Sequence, residues 1–123
     1  MSETVVVLGA SAAPGRISRQ GLRLLTEYGH QVIPVHPAGG VLDGLTVLPN
    51  LASIDVPVDT VSVYLRPGLC EPLVNEIIAL APKRVVFNPG SESPRLREQL
   101  EAAGIRVQWE CTLILLRADR WAA

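Results

Sequence analysis

The sequence has little cysteine, no excess of positive charge and no long apolar run, and each shortage excludes a class of protein. The two cysteines, Cys70 and Cys111, stand too far apart for a zinc site or a disulfide framework. A formal net charge of -1 lacks the basic surface that nucleic-acid binding requires. No stretch approaches the ~20 apolar residues that cross a membrane. We therefore expect no bound metal, no nucleic acid and no membrane among its partners.

Recognisable catalytic groups are also lacking. The chain has no Ser-His-Asp order around an elbow motif, no histidine pair at metal-ligand spacing and no GK[ST] phosphate loop. Its single lysine, Lys83, precedes a predicted strand and therefore lies at the sheet edge opposite the strand C-termini. We thus predict no catalytic residues and a protein that is not an enzyme.

Bulk composition is typical of one globular domain. Hydrophobic residues make up 48% of the chain and charged residues 19%, which excludes a disordered protein. The 123 residues suit a single domain, 1–123, that buries a core without disulfides or metals. The first residues, Met-Ser-Glu-Thr, lack the basic start and apolar run of a signal peptide. We expect a cytoplasmic protein with reduced thiols.

Short β-branched runs alternate with segments of helical periodicity along the whole chain. The predicted strands cover residues 4–8, 31–35, 60–65, 84–87 and 105–109, with a short additional strand at 46–48. The first predicted helix starts at Ile17 and turns Ile17, Gly21, Leu24, Leu25 and Tyr28 inward. This alternation predicts an α/β fold: a single Rossmann-like, doubly wound parallel sheet of about five strands, with helices on both faces.

The segment after the first predicted strand reads GASAAPGRIS. Gly9 permits a tight turn, and the helix that follows offers unpaired N–H groups and the positive end of its dipole to a phosphate. Ser11 and Ser18 add hydroxyl donors, and Arg16 or Arg19 adds a charge-assisted bond. Ser11 and Pro14 replace the second and third glycines of the G-x-G-x-x-G fingerprint. The alternative is a strand-to-helix turn that binds nothing.

The second predicted strand ends in His36-Pro37-Ala38, without the acid that usually accepts the ribose hydroxyls of NAD. A protonated His36 would instead favour a ribose phosphate, which is a 3′-phosphate in coenzyme A and a 2′-phosphate in NADP. Alternatively, His36 only caps a turn.

Five sequence segments carry a family resemblance when they are considered together: VVVLGASAAPGRIS, VIPVHPAGG, PVDTVSVYL, PKRVVFNPGSES and AGIRVQWECTLILL. In this order they resemble the stand-alone CoA-binding protein family, whose fold is akin to the CoA-binding domain of the succinyl-CoA synthetase α subunit. The resemblance covers nearly the whole chain and implies a Rossmann-like domain that binds coenzyme A.

The resemblance also implies where the cofactor lies. The pyrophosphate would face Gly9, Ser11, Arg16 and Ser18, with Ala10 and Gly15 in the same loop, and the adenosine would lie between His36 and Pro37. The strand-order switch would lie near Tyr64, Leu65 and Arg66. The pantetheine arm would extend toward Asn88, Pro89 and Gly90. His36 replaces the usual asparagine, and Ala38 stands where a lysine often follows. Both departures weaken the expected grip on the 3′-phosphate, for which Arg66 would compensate.

Other residues allow a functional and a structural interpretation. Cys111, at the ligand edge, can form a mixed disulfide with coenzyme A, although Glu110 opposes thiolate formation; otherwise it is a small buried hydrophobe. Asn88 either shapes a turn or binds a ligand amide. Cys70 is predicted in the core, and Trp121 at the surface or in a homodimer contact.

These observations support three functional hypotheses. The first is a non-catalytic module that senses, stores or protects coenzyme A or an acyl-CoA. The second is a small NADP-linked reductase, or a component of a CoA enzyme that lacks its partner. The third is a regulatory module without a ligand, which acts through protein contacts.

Overall fold

The structure, a computed structural model, describes residues 2–11 and 16–122. Its strands are β1 (Thr4–Leu8), β2 (Gln31–Val35), β3 (Val41–Leu42), β4 (Leu45–Thr46), β5 (Thr60–Val63), β6 (Arg84–Phe87) and β7 (Arg106–Trp109). Its helices are α1 (Ile17–Glu27), α2 (Pro67–Cys70), α3 (Val74–Leu80), α4 (Pro94–Ala102) and α5 (Thr112–Arg117), with 3₁₀ turns at Leu51–Ser53 and Glu71–Leu73.

The main sheet has five parallel strands in the order β2-β1-β5-β6-β7. The chain starts in β1, moves outward to β2 and then crosses back to β5, so the strand order reverses between β1 and β5. Ligands of open parallel sheets bind at such a point, beyond the strand C-termini. The prediction of a doubly wound parallel sheet is confirmed.

Successive valines of β1 point to opposite faces of this sheet, and each face has its own core. Val6 packs on the face that α3 and α4 cover through Ile77 and Leu96. Val5 and Val7 pack on the opposite face, which α1 and α5 cover through Leu22 and Leu115. Most other residues of the two cores are also aliphatic. Because β1 is covered on both sides, its central valines are fully buried.

The short strand predicted at 46–48 is only partly present. The structure has an antiparallel hairpin instead, in which Leu42 pairs with Leu45. Asp43 and Gly44 connect its strands with φ angles of 49° and 80°, the conformation that Asp-Gly favours in tight hairpins. Leu48, beyond the hairpin, forms only an isolated bridge with Val35. The hairpin therefore lies beside the end of β2 rather than in the sheet.

Trp121 was predicted at the surface or in a homodimer contact, but its side chain is buried, with only 5% exposed. The guanidinium of Arg84 lies 4.2 Å from its ring centroid, and the His30 ring lies 6.0 Å away. A cation over the face of an indole is an attractive contact that draws the C-terminal segment against the sheet. The expectation of a homodimer contact through Trp121 therefore loses its basis. Among the described residues, no helix is long and apolar enough to span a membrane.

Candidate functional site

Adjoining cavities open at the C-terminal edge of the sheet, and each is defined here by its walls. Cavity A has a volume of about 570 Å³; its lining is Gly9, Ser11, Arg16, Ile17, Ser18, Tyr64, Asn88, Pro89, Cys111 and Leu113. Cavity B has about 290 Å³; its lining is Leu8, Gly9, Val35, His36, Pro37, Pro49, Asn50, Leu51, Leu65, Leu69, Leu73 and Glu76. Cavity C has about 270 Å³; its lining is Ala10, Ser11, His36, Ala38, Gly39, Val41, Leu42 and Val47.

The cavities share single residues of the loops after β1 and β2. Gly9 lines both A and B, Ser11 lines both A and C, and His36 lines both B and C. Gly9 has a φ of 91°, and a Cβ there would lie 2.9 Å from Leu65, so glycine is needed for both the turn and the close packing. An elongated ligand that crosses Gly9 would therefore have one end in cavity A and the other in cavity B.

Helix α1 begins beside cavity A without a side-chain cap. Its N-cap residue is Arg16, which makes no capping hydrogen bond, and its first turn contains no acidic residue. By contrast, α4 is capped by the Ser93 hydroxyl, which accepts from Leu96 N at 3.1 Å. Among the described residues, neither an acidic residue of the first turn nor a capping side chain offsets the positive end of the α1 dipole, which favours an anion at this position.

The N–H groups of the β1 loop that the structure describes are directed inward. Gly9 N and Ala10 N both donate to Val35 O, at 3.0 and 3.2 Å. Ser11 N donates to the hydroxyl oxygen of the buried Ser18, at 3.2 Å. These bonds fix the path of the loop, and the Ser18 hydroxyl keeps its own proton to donate. An anion at this corner would therefore meet the first turn of α1 and side-chain donors rather than the amides of residues 9–11.

His36 caps a turn through its ring. Its Nδ1 accepts from Ala38 N at 3.0 Å, and its carbonyl accepts from Gly39 N at 2.9 Å. Because Nδ1 is used as an acceptor, Nε2 is the ring nitrogen that remains for another partner. The turn-capping interpretation is the one that this geometry favours. The ring can still donate one hydrogen bond through Nε2.

Asn88 lines cavity A, but its amide is used within the protein. Nδ2 donates to Ser62 Oγ at 3.0 Å and to Val63 O at 2.8 Å, while Oδ1 accepts from Thr112 N at 2.8 Å. Both donor hydrogens are therefore engaged. Of the two predicted roles, shaping the turn is favoured over binding a ligand amide. The side chain joins the ends of β5 and β6 to the start of α5 and so holds one wall of the cavity in place.

Tyr64 forms another wall of cavity A and reaches under α1. Its hydroxyl is buried close to the Ser62 and Thr112 hydroxyls but makes no well-formed hydrogen bond with a described residue. A Cβ at Gly21 would collide with this hydroxyl, which explains why the helix has a glycine there. Burial raises the pKa of Tyr64, so the phenol stays protonated and remains a potential donor.

The two cysteines differ in environment. Cys111 is half-buried and lines cavity A. Cys70 is fully buried, as predicted, and burial raises the pKa of its thiol to about 12. Only Cys111 is therefore placed to meet a ligand. Within the described part of the chain, no group of three or more His, Cys, Asp or Glu could hold a metal ion.

Most of the predicted site residues line these cavities. The exceptions are Arg66 and Gly90, which line none of A, B or C, and Gly15, which lies outside the described residues. Arg66 occupies the N-cap position of α2 without a side-chain capping hydrogen bond, and its expected role at the 3′-phosphate gains no support. The apolar walls of cavity B formed by Leu51, Leu69 and Leu73 were not predicted, because sequence pattern alone does not distinguish an aliphatic residue of a cavity wall from one of the core.

The chain matches known proteins over most of its length. A family described as "CoA binding domain" matches residues 3–117. Among curated proteins, the uncharacterized protein YneT of Bacillus subtilis (strain 168) is 32% identical over 74 residues, which are 57% of this chain and 55% of YneT. The matched part thus spans about half the length of that relative.

Solved structures show the same fold. The crystal structure of an uncharacterized protein is 35% identical, with a TM-score of 0.93 over 98% of this chain and 99% of that chain. The cell-free ID.343 protein from Thermus thermophilus is 30% identical, with a TM-score of 0.89 over 97% of this chain and 90% of that chain. A dinucleotide forming acetyl-coenzyme A synthetase 1 from Ca. Korarchaeum cryptofilum, in complex with phosphate and ADP, has a TM-score of 0.76 over 88% of this chain but 25% of its own. At 24% identity, that likeness shows the fold alone.

Proposed function

The chain belongs to the CoA-binding domain family, and from this premise we propose that it binds coenzyme A, or an acyl-CoA, across Gly9. The observation that carries the proposal is the meeting of cavities A and B at Gly9, beside the uncapped start of α1. Coenzyme A has a diphosphate between two longer arms. That shape fits a junction that favours an anion and opens into a cavity on either side.

The diphosphate is assigned to the start of α1. The first-turn N–H groups and the helix dipole attract it, and Arg16 and the Ser18 hydroxyl add donors from the wall of cavity A. This position of the diphosphate, beside the loop after β1, agrees with the phosphate-binding motif that the sequence predicts there. Among the described residues, its donors are the helix start and side chains, since the amides of residues 9–11 are already bonded.

The adenine is assigned to cavity B. Its walls are mostly aliphatic, and Val35, Leu51 and Leu65 offer flat apolar surfaces for a heteroaromatic base. The His36 Nε2–H and the Glu76 carboxylate at the same cavity supply a donor and an acceptor for the edge of the base. The pantetheine arm then extends through cavity A, along Pro89 and toward Cys111.

We also propose that the domain acts without catalysis, as a module that stores, senses or protects its ligand in the cytoplasm. Cavity A contains a single arginine and no carboxylate, and Asn88 uses its amide for structure. The described residues of that cavity thus lack a paired acid and base.

Calorimetry with coenzyme A, acetyl-CoA, NAD and NADP tests the proposal, and Ser11→Glu tests the site. Ser11 joins cavities A and C, so a carboxylate there would repel the diphosphate and is expected to weaken binding ~100-fold or more. Ser11→Gln is the matched control, since it adds a similar volume without charge, and its loss should be much smaller. Circular dichroism and thermal melts would show that both variants are folded.

Two results would contradict the proposal. One is a wild-type protein that binds neither CoA compound; the other is a Ser11→Glu protein that keeps wild-type affinity for coenzyme A. A response to NADP alone would support the reductase hypothesis instead.

A further inference from the structure

The two outer strands of the main sheet differ in how their free edges are covered. β2 contains Pro34, which has no N–H to offer to a further strand. Its outward groups are also occupied, because Pro34 O accepts from Leu48 N at 2.9 Å and His36 N donates to Leu48 O at 3.0 Å. β7 contains no proline, and no described strand pairs with its outer side. The sheet therefore has one covered edge and one open edge.

The hydrogen bonds between β7 and β6 show which backbone groups of β7 point outward. The N–H groups of Arg106 and Glu110 donate to carbonyls on the β6 side, at 3.3 and 3.2 Å. Because the backbone groups of successive strand residues alternate in direction, Val107 and Trp109 direct their N–H and C=O away from the sheet. Together these two residues offer two donors and two acceptors to a further strand.

The side chains of β7 and the residue after it are arranged symmetrically in charge around Gln108. Arg106 and Glu110 lie on the same face of the strand, at equal distances before and after Gln108. Their Cα atoms are ~13 Å apart in an extended strand, so the two charges do not pair with each other within one copy. On the other face, Trp109 is 41% exposed, with the Arg97 guanidinium 5.0 Å from its ring centroid.

We propose that β7 is the contact surface for a second copy of this chain, which adds its own β7 in antiparallel orientation. The result is one continuous sheet of ten strands, five from each copy. With the two-fold axis at Gln108, Val107 stands opposite Trp109 of the partner subunit, and the two residues exchange both of their outward N–H···O=C bonds. The symmetry-related pair does the same, so that the contact has backbone hydrogen bonds on both sides of the axis.

Charge selects this register. With the axis at Gln108, Arg106 stands opposite Glu110 of the partner subunit, and symmetry repeats this ion pair. An axis at Arg106 or at Glu110 would instead bring two like charges together, which is unfavourable for directly opposed strand residues. A surface that is complementary to itself about a two-fold axis fits another copy of the same chain better than it fits a different protein.

The contact is independent of the proposed function. Its residues, 106–110, line none of the cavities A, B or C. Because the two β7 strands are antiparallel, the C-terminal edges of the two sheets face in opposite directions. The dimer is therefore expected to form with or without coenzyme A, and its failure would leave the proposed function untouched.

Sedimentation velocity with charge-reversed variants tests the contact. The wild type is expected to be a dimer. Glu110→Arg and Arg106→Glu each place like charges opposite each other at both symmetry-related positions, so each is expected to weaken the dimer ~10-fold or more. An equimolar mixture of the two variants should dimerise again, because each copy then meets opposite charges in its partner. Glu27→Arg makes the same charge change at an exposed position of α1 and should have no effect.

A cross-link tests the register and does not depend on the charge-reversed variants. In a Cys111→Ser background, Gln108→Cys places two thiols opposite each other at a non-hydrogen-bonded pair, with Cα atoms about 4.5 Å apart, which a disulfide can span. Oxidation with diamide should therefore give a covalent dimer in non-reducing electrophoresis. Glu27→Cys in the same background should stay uncross-linked. Thermal melts of all variants would show that they are folded.

The outcomes decide for or against the contact. A wild type that remains monomeric up to ~100 μM overturns the inference. A dimer that persists in both charge-reversed variants, or a mixture of them that does not regain the dimer, assigns any association to another surface and overturns it as well. A wild-type dimer without a Gln108→Cys cross-link excludes the proposed register.

Discussion

The two edges of the same sheet differ in how their polar groups are used. At the N-terminal edge, Arg84 is 5% exposed and donates to Thr60 Oγ1 and Gln108 Oε1, both at 2.8 Å. At the C-terminal edge, the loops after the strands enclose cavities A, B and C, and α1 begins without a cap. The first edge is largely filled by its own side chains, which leave a cavity of about 160 Å³, whereas the second opens into cavities of about 570, 290 and 270 Å³.

The difference follows from residue size and register. At the N-terminal edge, Thr60, Arg84 and Arg106 stand side by side on neighbouring strands, so long polar side chains cover the strand ends. At the C-terminal edge, β1 runs into Gly9, Ala10 and Ser11, which are too small to fill the space between the loops. Long side chains therefore stabilise one edge, and small ones make the other available for binding.

The largest effect is expected from Arg84→Met. The variant removes the bonds to Thr60 and Gln108 and the contact with Trp121, and leaves Glu3, whose Oε1 lies 3.5 Å from Arg84 Nη2, without that cation. We expect the free energy of unfolding to fall by about 3 kcal/mol, measured by urea denaturation. Arg106→Met, at an exposed position of the same edge, should cost much less. The affinity of the Arg84→Met protein for coenzyme A should equal that of the wild type. A loss of this affinity in a folded Arg84→Met protein would show that the two edges of the sheet are coupled.

An intermediate effect is expected from Gly21→Ala. Alanine favours helix, but its Cβ would collide with the Tyr64 hydroxyl, so we expect a net destabilisation of about 1–2 kcal/mol in urea denaturation. Tyr64→Phe removes the hydroxyl and should restore part of this loss in the double variant. Alone, Tyr64→Phe should be neutral or stabilising, since the hydroxyl it removes is buried without a well-formed hydrogen bond to a described residue. A Gly21→Ala protein more stable than wild type would contradict the contact.

The smallest effect on stability is expected from modifying Cys111. Incubation with the disulfide of coenzyme A should exchange one CoA onto Cys111 and release the other as a thiol, seen as an adduct in intact-protein mass spectrometry. Cys70 should not react, because it is buried and its thiol has a pKa raised to about 12. Cys111→Ser should abolish the adduct, and Cys70→Ser should not. No adduct, or one on Cys70, would eliminate the mixed-disulfide hypothesis.

In helix α1, the buried face predicted from helical periodicity is correct in the middle of the helix but not at its ends. Its inward face was correct at Gly21 and Leu25, which are buried, but wrong at Ile17 and Tyr28, which are 50% and 49% exposed. Ser18 is buried instead, and its hydroxyl accepts a hydrogen bond from Ser11 N. Both errors lie near helix ends, where the loop and not the sheet decides what is covered.

The sequence by itself determined the alternation of strands and helices, the buried valines of β1 and the small residues after them, because these depend on local periodicity and residue size. Only the tertiary structure decided how Asn88, His36 and Trp121 are used, since each depends on partners far away in sequence or on a ring orientation. The pairing of Asp43 with Arg19 and Arg23 is of the same kind: charges meet only after a hairpin and a helix have packed together.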